Sequence, residues 1–258
     1  MDASVQRLGV NRGRYHGETV AIDSILTDMC GLATSEGWHL EELPTADGSL
    51  MALRRPGGPG AKRVYVSAGI HGDEPAGPLA VHHLFATQAW PASLDLWVCP
   101  CLNPTGFRLN QRESATGDDL NRDYRHLRTA EVRAHVEWLG RQPSFDLTLC
   151  LHEDWEASGF YLYELNPDGT PSPSEAVIRA VSEVCPIDAS PLIDGREASG
   201  GIIRPQLDPT TRADWPEAFY LIQHRTRHSY TLESPSDFPL SVRVAALTTA
   251  MGVLLEAA

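Results

Sequence analysis

The sequence predicts an α/β protein with a mixed, mostly parallel central sheet and helices on both faces, built as one domain over residues 1–258. Two observations carry that prediction. Short apolar runs without polar alternation, at 64–70, 94–100 and 146–151, read as strands buried on both faces. Stretches with helical periodicity separate them, so strand and helix alternate along the chain. A third observation is that no Pro/Gly/Ser-rich linker, repeat or low-complexity tract divides the chain.

Taken in order, residues 18–35 read as a helix. Strands at 38–43 and 49–54 follow, joined through Asp47-Gly48, a pair suited to a hairpin turn. The segment RPGGPGAK from Arg55 is a loop, and the strand at 64–70 ends on His71. Pro75 and Pro78 fit the first turn of a helix that continues through AVHHLFA, because N–H groups are unpaired there in any case. Next come a strand at 94–100, a long polar loop at 103–128, a helix at 129–141 and a strand at 146–151. The remainder reads as a strand at 160–165, a helix at 174–184, strands at 219–223 and 230–232, and a closing helix at 240–256.

A chain of 258 residues buries enough apolar surface to fold without disulfides or a structural metal, so a metal here is expected to be catalytic. The net charge of -13 argues against nucleic acid as a partner, since that binding rests on Lys and Arg releasing counterions from phosphates. The N-terminus lacks the apolar core of a signal peptide, and no apolar run is read as long enough to span a bilayer, which gives a soluble cytoplasmic protein as the expectation. Cys30, Cys99, Cys101, Cys150 and Cys185 form no CxxC pair and read as reduced core residues.

In open α/β sheets, ligands collect beyond the carboxyl ends of strands. Three polar segments stand there: His71-Gly-Asp-Glu74, His152-Glu-Asp and Glu233. Two histidines and one carboxylate, with the fourth position left for water, are a standard hydrolytic zinc set. The HxxE spacing puts a nitrogen and a carboxylate on one tight turn, which Gly72 eases by lacking a Cβ. His71, Glu74 and His152 are thus the candidate ligands of one zinc ion per chain. The competing reading makes them solvated loop residues, and it makes Glu233 an exposed carboxylate paired with Arg225 or Arg227.

Four blocks, SAGIHGDEPAG from Ser67, NPTGFRLNQRESATGDDLNRDY from Asn103, LTLCLHE from Leu147 and YTLESP from Tyr230, span about two-thirds of the chain. In content and order they resemble the zinc carboxypeptidase family, and more loosely its relatives aspartoacylase and succinylglutamate desuccinylase. The resemblance implies zinc on His71, Glu74 and His152, and Glu233 as general base. It further implies Arg112 as the group that polarises the scissile carbonyl, with Arg108 nearby as an alternative, and Asn121-Arg122 as the grip on a substrate carboxylate. The alternative for Asn121-Arg122 is turn chemistry after Asp118-Asp119. The family's substrate-covering tyrosine has Tyr220 as its candidate here.

Elsewhere, His82 and His83 read as surface or packing residues on a helix. Glu153 and Asp154 are either solvated or partners that orient His152, and the acidic segment at 118–123 reads as a solvated loop rather than a second metal site. The function implied is a metallocarboxypeptidase acting on a small peptide. An N-acyl amino acid deacylase with the same core is the alternative, and a catalytically inactive peptide-binding protein a second. The peptidase is favoured because only 25 residues follow Glu233, without the further β-rich segment usual in the deacylases. Side-chain specificity is expected from 188–225, which holds Arg196, Arg204, Arg212, Asp194, Asp208, Asp214 and Trp215. Arginines facing inward would select an acidic group and aspartates a basic one.

Overall fold

The protein is described here by a computed structural model, in which residues 6–11, 15, 18–206, 208 and 212–258 are described. The chain runs α1 (Ile22–Ser35), β1 (His39–Thr45), β2 (Gly48–Arg55), β3 (Arg63–Ala68), α2 (Ala76–Ala86) and β4 (Asp95–Cys99). It continues with α3 (Pro104–Leu109), α4 (Ala130–Arg141), β5 (Leu147–Asp154), β6 (Tyr161–Leu165) and α5 (Ser174–Val181). The last elements are β7 (Leu192–Ile193), β8 (Arg196–Glu197), β9 (Ile202–Ile203), α6 (Glu217–His224), β10 (Ser229–Pro235) and α7 (Leu240–Ala257).

Eight strands form one sheet in the order β1-β2-β4-β3-β5-β10-β6-β9. The centre, β4-β3-β5-β10, is parallel throughout, and the β1-β2 hairpin, β2-β4 and β6-β10 contribute the antiparallel pairs. The expected mixed, mostly parallel sheet is therefore present. Strand alternation sorts its two faces. Val64, Val66 and Ala68 of β3, with Leu147, Leu149 and Leu151 of β5, enter a core shared with α1, α2, α5 and α7. Tyr65 and Cys150 point the other way, into a core with α4 and α6. On that second face the phase of β5 also carries His152, and the phase of β10 carries Glu233.

Several sequence expectations need correction. Phe219–Gln223, expected as a strand, lies within α6. A short apolar run fits a buried strand and a helix face equally well, and Pro216 with Glu217 supplies a helix start that periodicity does not register. The expected loop at 103–128 contains α3, capped by the Asn103 side chain on the Gly106 N–H, and a 3-10 turn at Leu120–Arg122 capped by Asp119. The first helix begins at Ile22 rather than 18, and the fifth ends at Val181. The closing helix α7 is, by length and composition, apolar enough to cross a membrane, contrary to expectation. In the structure Ala246, Leu247, Ala250, Met251, Leu254 and Leu255 of that helix lie in the core.

Candidate metal and catalytic site

The parallel pairing of β5 with β10 sets Glu233 directly beside His152, both pointing to the same face of the sheet. The neighbouring strand β3 stops at Ala68, and the turn that follows carries His71 and Glu74 to the same place. There His71 Nδ1 stands 2.5 Å from Glu74 Oε1, and His152 Nδ1 stands 3.0 Å from Glu74 Oε2. One ligand atom from each of the three buried residues lies within 4.8 Å of the others, a spacing that suits a single metal ion. Two imidazole nitrogens and a carboxylate also fit zinc by chemistry. Burial would push the Glu74 carboxyl up, but the two histidines more than offset it and hold it well below the usual range, so the group is an anionic donor.

Gly72 is needed for a reason different from the one its sequence position suggests. A Cβ there would stand 2.1 Å from the carbonyl carbon of Gly106 and 2.6 Å from the Gln111 carbonyl oxygen, so close approach of two backbones, not turn conformation, requires the glycine. Asn103 clips the same segments together. It is fully buried, its amide N–H groups donate to the carbonyls of Ile70 and Arg112, and its Oδ1 accepts from Gly106.

Asp119, passed over in the sequence as part of a solvated loop, joins three of the predicted residues. Its Oδ1 lies 3.4 Å from His71 Nε2 and accepts the Asn121 N–H at 2.9 Å, and its Oδ2 accepts Arg112 Nε at 3.1 Å. Burial raises the Asp119 carboxyl, but His71, Arg112 and Arg122 outweigh this and lower it, so it stays charged. A carboxylate behind a ligand histidine fixes the ring's tautomer and direction. The sequence signal for it was the N-cap position of Asp119 ahead of Leu-Asn-Arg.

Arg112 reaches the site, with Nη1 3.4 Å from Glu74 Oε1. Arg108 does not: it forks onto Asp23 of α1 at the surface. Asn121 lines the cavity, and its Oδ1 is taken by the backbone N–H of Glu217 at 2.8 Å, which leaves Nδ2 as the donor available to a ligand. Arg122 lines the same cavity and donates to the Asn121 carbonyl. Glu233 is partly exposed and pairs with neither arginine proposed for it, since Arg225 holds the Gln142 and Pro143 carbonyls and Arg227 holds Asp168. Burial, then the charges of Glu74, Asp154 and Asp194, raise the Glu233 carboxyl well above its ordinary range, with Arg112 opposing.

Other expectations fail on geometry. Tyr220 packs against Tyr124 and His224 and is not among the residues lining the cavity, so it does not supply the covering tyrosine; Tyr15, Tyr161 and Tyr163 line it instead. Glu153 is neither solvated nor turned toward the His152 ring. It points to the opposite face, where Oε1 caps the Ala76 N–H at the start of α2 and Oε2 takes Arg243 of α7 at 2.6 Å. Asp154 lines the cavity and accepts the Tyr161 hydroxyl. His82 pairs with Asp28 at the surface and His83 is exposed, as expected.

Beneath the site runs a buried polar chain that the sequence did not reveal. The Tyr65 hydroxyl donates to Glu217 Oε1 at 2.9 Å and contacts His135 Nε2 at 2.8 Å, while Tyr124 OH contacts His135 Nδ1 at 2.7 Å. When Glu217 is ionised, Tyr65 gives its one proton to it, so His135 then donates from Nε2 and accepts at Nδ1. Burial alone lowers the His135 pKa to about 3, which keeps that ring neutral. Ser67 donates to Glu217 Oε2, so this carboxyl ties α6 to β3 directly behind Asn121.

His71, Glu74, Arg112, Asn121, Arg122, His152 and Glu233 open on one cavity of about 1370 Å³. Two histidines, a glutamate and an arginine gathered at the carboxyl ends of the central strands of an α/β sheet make this the candidate site of a metal-dependent hydrolase. The family model for the succinylglutamate desuccinylase/aspartoacylase catalytic domain matches residues 60–187. Among curated proteins, Carboxypeptidase 2 of Trichophyton rubrum is 39% identical over 79 residues, 28% of this chain and 15% of that protein. Carboxypeptidase SOL1 of Arabidopsis thaliana is 31% identical over 120 residues, 38% of this chain and 24% of that protein. These matches thus span a quarter or less of the relatives' length. Among solved structures, a candidate metallopeptidase of Shewanella amazonensis SB2B is 25% identical, covering 92% of this chain and 93% of that one at a TM-score of 0.79. A metallo-carboxypeptidase of Pseudomonas aeruginosa shares the fold at 19% identity and a TM-score of 0.65, covering 91% of this chain and 67% of that one. Over residues 60–187 in sequence, and over most of its length in fold, the chain is similar to zinc carboxypeptidase-related proteins.

Proposed function

We propose that the protein is a zinc metallocarboxypeptidase that removes the C-terminal residue of a small peptide. The observation that carries this reading is the convergence of His71 Nδ1, His152 Nδ1 and the Glu74 carboxylate at the floor of a cavity into which Glu233 also points. Bound zinc supplies Lewis acidity toward water and the scissile carbonyl. Glu233 takes a proton from the attacking water and returns it to the leaving amine. Arg112 faces the carbonyl oxygen with a charge that never titrates and steadies the oxyanion as it forms. Asn121 Nδ2 and the Arg122 guanidinium hold the substrate's terminal carboxylate.

A second reading, an N-acyl amino acid deacylase, is favoured by the desuccinylase/aspartoacylase match over residues 60–187 and uses the same core. The test is to measure metal content together with hydrolysis of blocked dipeptides and N-acyl amino acids, before and after chelation. One zinc per chain, peptide cleavage lost on chelation, and a fall in kcat of roughly 100-fold or more in Glu233→Gln are expected. Cleavage of N-acyl substrates alone would move the protein to the deacylases. A chain that takes up no zinc would overturn both readings.

A further inference from the structure

The cavity wall beyond Glu233 carries more positive charge than it uses. Arg122, Arg196 and Arg212 all line the cavity, and among the described residues neither Arg122 nor Arg212 forms an ion pair. Arg196 has only Asp194, at 3.9 Å. Arg212 lies over the Phe219 ring at 5.0 Å, an aromatic support that orients a guanidinium without neutralising it. Burial, then the charges of Arg196 and Arg122, push the Arg212 pKa down, with Tyr163 and Asp194 opposing.

Four acidic residues of the same cavity have partners within the chain. Asp188 accepts the backbone N–H groups of Ser158 and Ser190, and Asp154 accepts those of Glu156 and the Tyr161 hydroxyl. Asp194 accepts the Tyr163 hydroxyl at 2.5 Å, and Asp214 stands 3.4 Å from His126. Arg122 and Arg212 are thus open donors beside carboxylates that already have partners, an arrangement that favours an acidic ligand over a basic one.

The wall is also held in place. Asp194 and Gly195 take φ of 48 and 66, the left-handed pair of a two-residue hairpin turn, and Ile193 pairs with Arg196 across it. Tyr163, which holds Asp194, is paired in register with Thr231, two residues before Glu233 and on the same face of the sheet. Arg196 and Arg212 line the cavity that Glu233 enters, and Arg212 lies within electrostatic reach of both Arg196 and Arg122.

We propose, building on the carboxypeptidase reading, that Arg196 and Arg212 bind the side-chain carboxylate of an acidic C-terminal residue while Asn121 and Arg122 bind its main-chain carboxylate. The substrate class is a peptide ending in glutamate or aspartate. An N-acylated acidic amino acid presents the same two carboxylates, and the test separates the two sources.

Zinc-loaded protein is assayed on blocked dipeptides ending in Glu, Asp, Leu and Lys and on N-acetylglutamate, with calorimetric binding of the Glu- and Leu-ended peptides to the chelated protein alongside. A kcat/KM for the Glu- or Asp-ended peptide roughly tenfold or more above the Leu-ended one is expected. In Arg196→Gln and in Arg212→Gln that ratio should collapse, in Arg212→Lys it should be partly kept, and in Arg212→Glu it should turn toward the Lys-ended peptide. Preference of the native protein for the Leu- or Lys-ended peptide, or an unchanged ratio in the Arg196→Gln/Arg212→Gln double variant, overturns the proposal. Cleavage of N-acetylglutamate alone overturns the peptide source and keeps the arginine pocket. If nothing is cleaved, the carboxypeptidase reading fails by itself, and the calorimetry decides the pocket: tighter binding of the Glu-ended peptide, lost in the double variant, supports it, and equal binding overturns it.

Discussion

Asp119 shows how much a single side chain contributes to this site. It stands behind His71 Nε2, receives Arg112 and closes the turn that presents Asn121, so one carboxylate sets the direction of a proposed metal ligand, a cation and an amide that lines the cavity. Asp119→Asn keeps the size and one acceptor but removes the charge that holds His71 and Arg112. Carboxylates behind metal-ligating histidines are worth about 10–100-fold in metal affinity. Chelator competition should therefore show zinc binding in Asp119→Asn weakened by about that factor; affinity within twofold of the native protein would mean that His71 is oriented by its packing alone. The clustering of His71, Glu74 and His152, the proposed metal ligands, was legible in the sequence because HxxE and a strand-end histidine are local patterns. Asp119 was not, because its role depends on a loop folding back over His71, and Arg108 and Arg112 were equivalent until α1 claimed Arg108 through Asp23.

Among the elements, α2 and α7 are joined to β5 by a buried ion pair that sits on the reverse side of the strand bearing His152. Glu153 Oε1 caps the first N–H of α2, where the helix dipole favours an anion, and Oε2 pairs with Arg243, which is fully buried. Removing one partner strands a buried charge, at a cost of about 3–5 kcal/mol, whereas removing both avoids it. Arg243→Met is thus expected to lower the urea midpoint sharply, and Arg243→Met/Glu153→Gln to recover most of the loss; a double variant as unstable as the single would show that shape, not charge, fixes α7. The strands and most helices of this scaffold followed from hydrophobic period, since a fully buried parallel strand has no polar alternation and an amphipathic helix has a distinct one. Three kinds of element did not. α6 hid as a strand because four apolar residues in a row fit either period, α3 lies inside a polar segment organised by Asn103 rather than by a hydrophobic stripe, and β7–β9 are two residues each.

At the scale of the molecule, the sheet is closed on the α4/α6 side by a polar core that makes its stability depend on pH. Glu217 is buried, and although Ser67, Tyr65 and Cys150 donate to it, desolvation dominates and raises its pKa from 4.5 to about 7. A carboxyl raised in the folded state binds its proton more tightly there than in the unfolded chain, so its contribution to stability is complete below about pH 4.5 and is lost as pH rises through about 7. The difference corresponds to roughly 3 kcal/mol at most across that window. Glu217→Gln is neutral at every pH and should flatten the pH dependence of the unfolding free energy of the metal-free protein between pH 5 and 7, whatever it does to the absolute value. Urea unfolding of the native protein and the variant at a series of pH values reads this directly. Because the Glu217 backbone N–H orients Asn121, the same titration couples the core to the cavity: loosening of α6 above pH 7 would weaken the hold on the substrate carboxylate and appear as a rise in KM for the native protein that Glu217→Gln does not share. Parallel slopes in the two unfolding series would show that the Tyr65 and Ser67 hydrogen bonds hold Glu217 ionised throughout, and that the polar core does not sense pH.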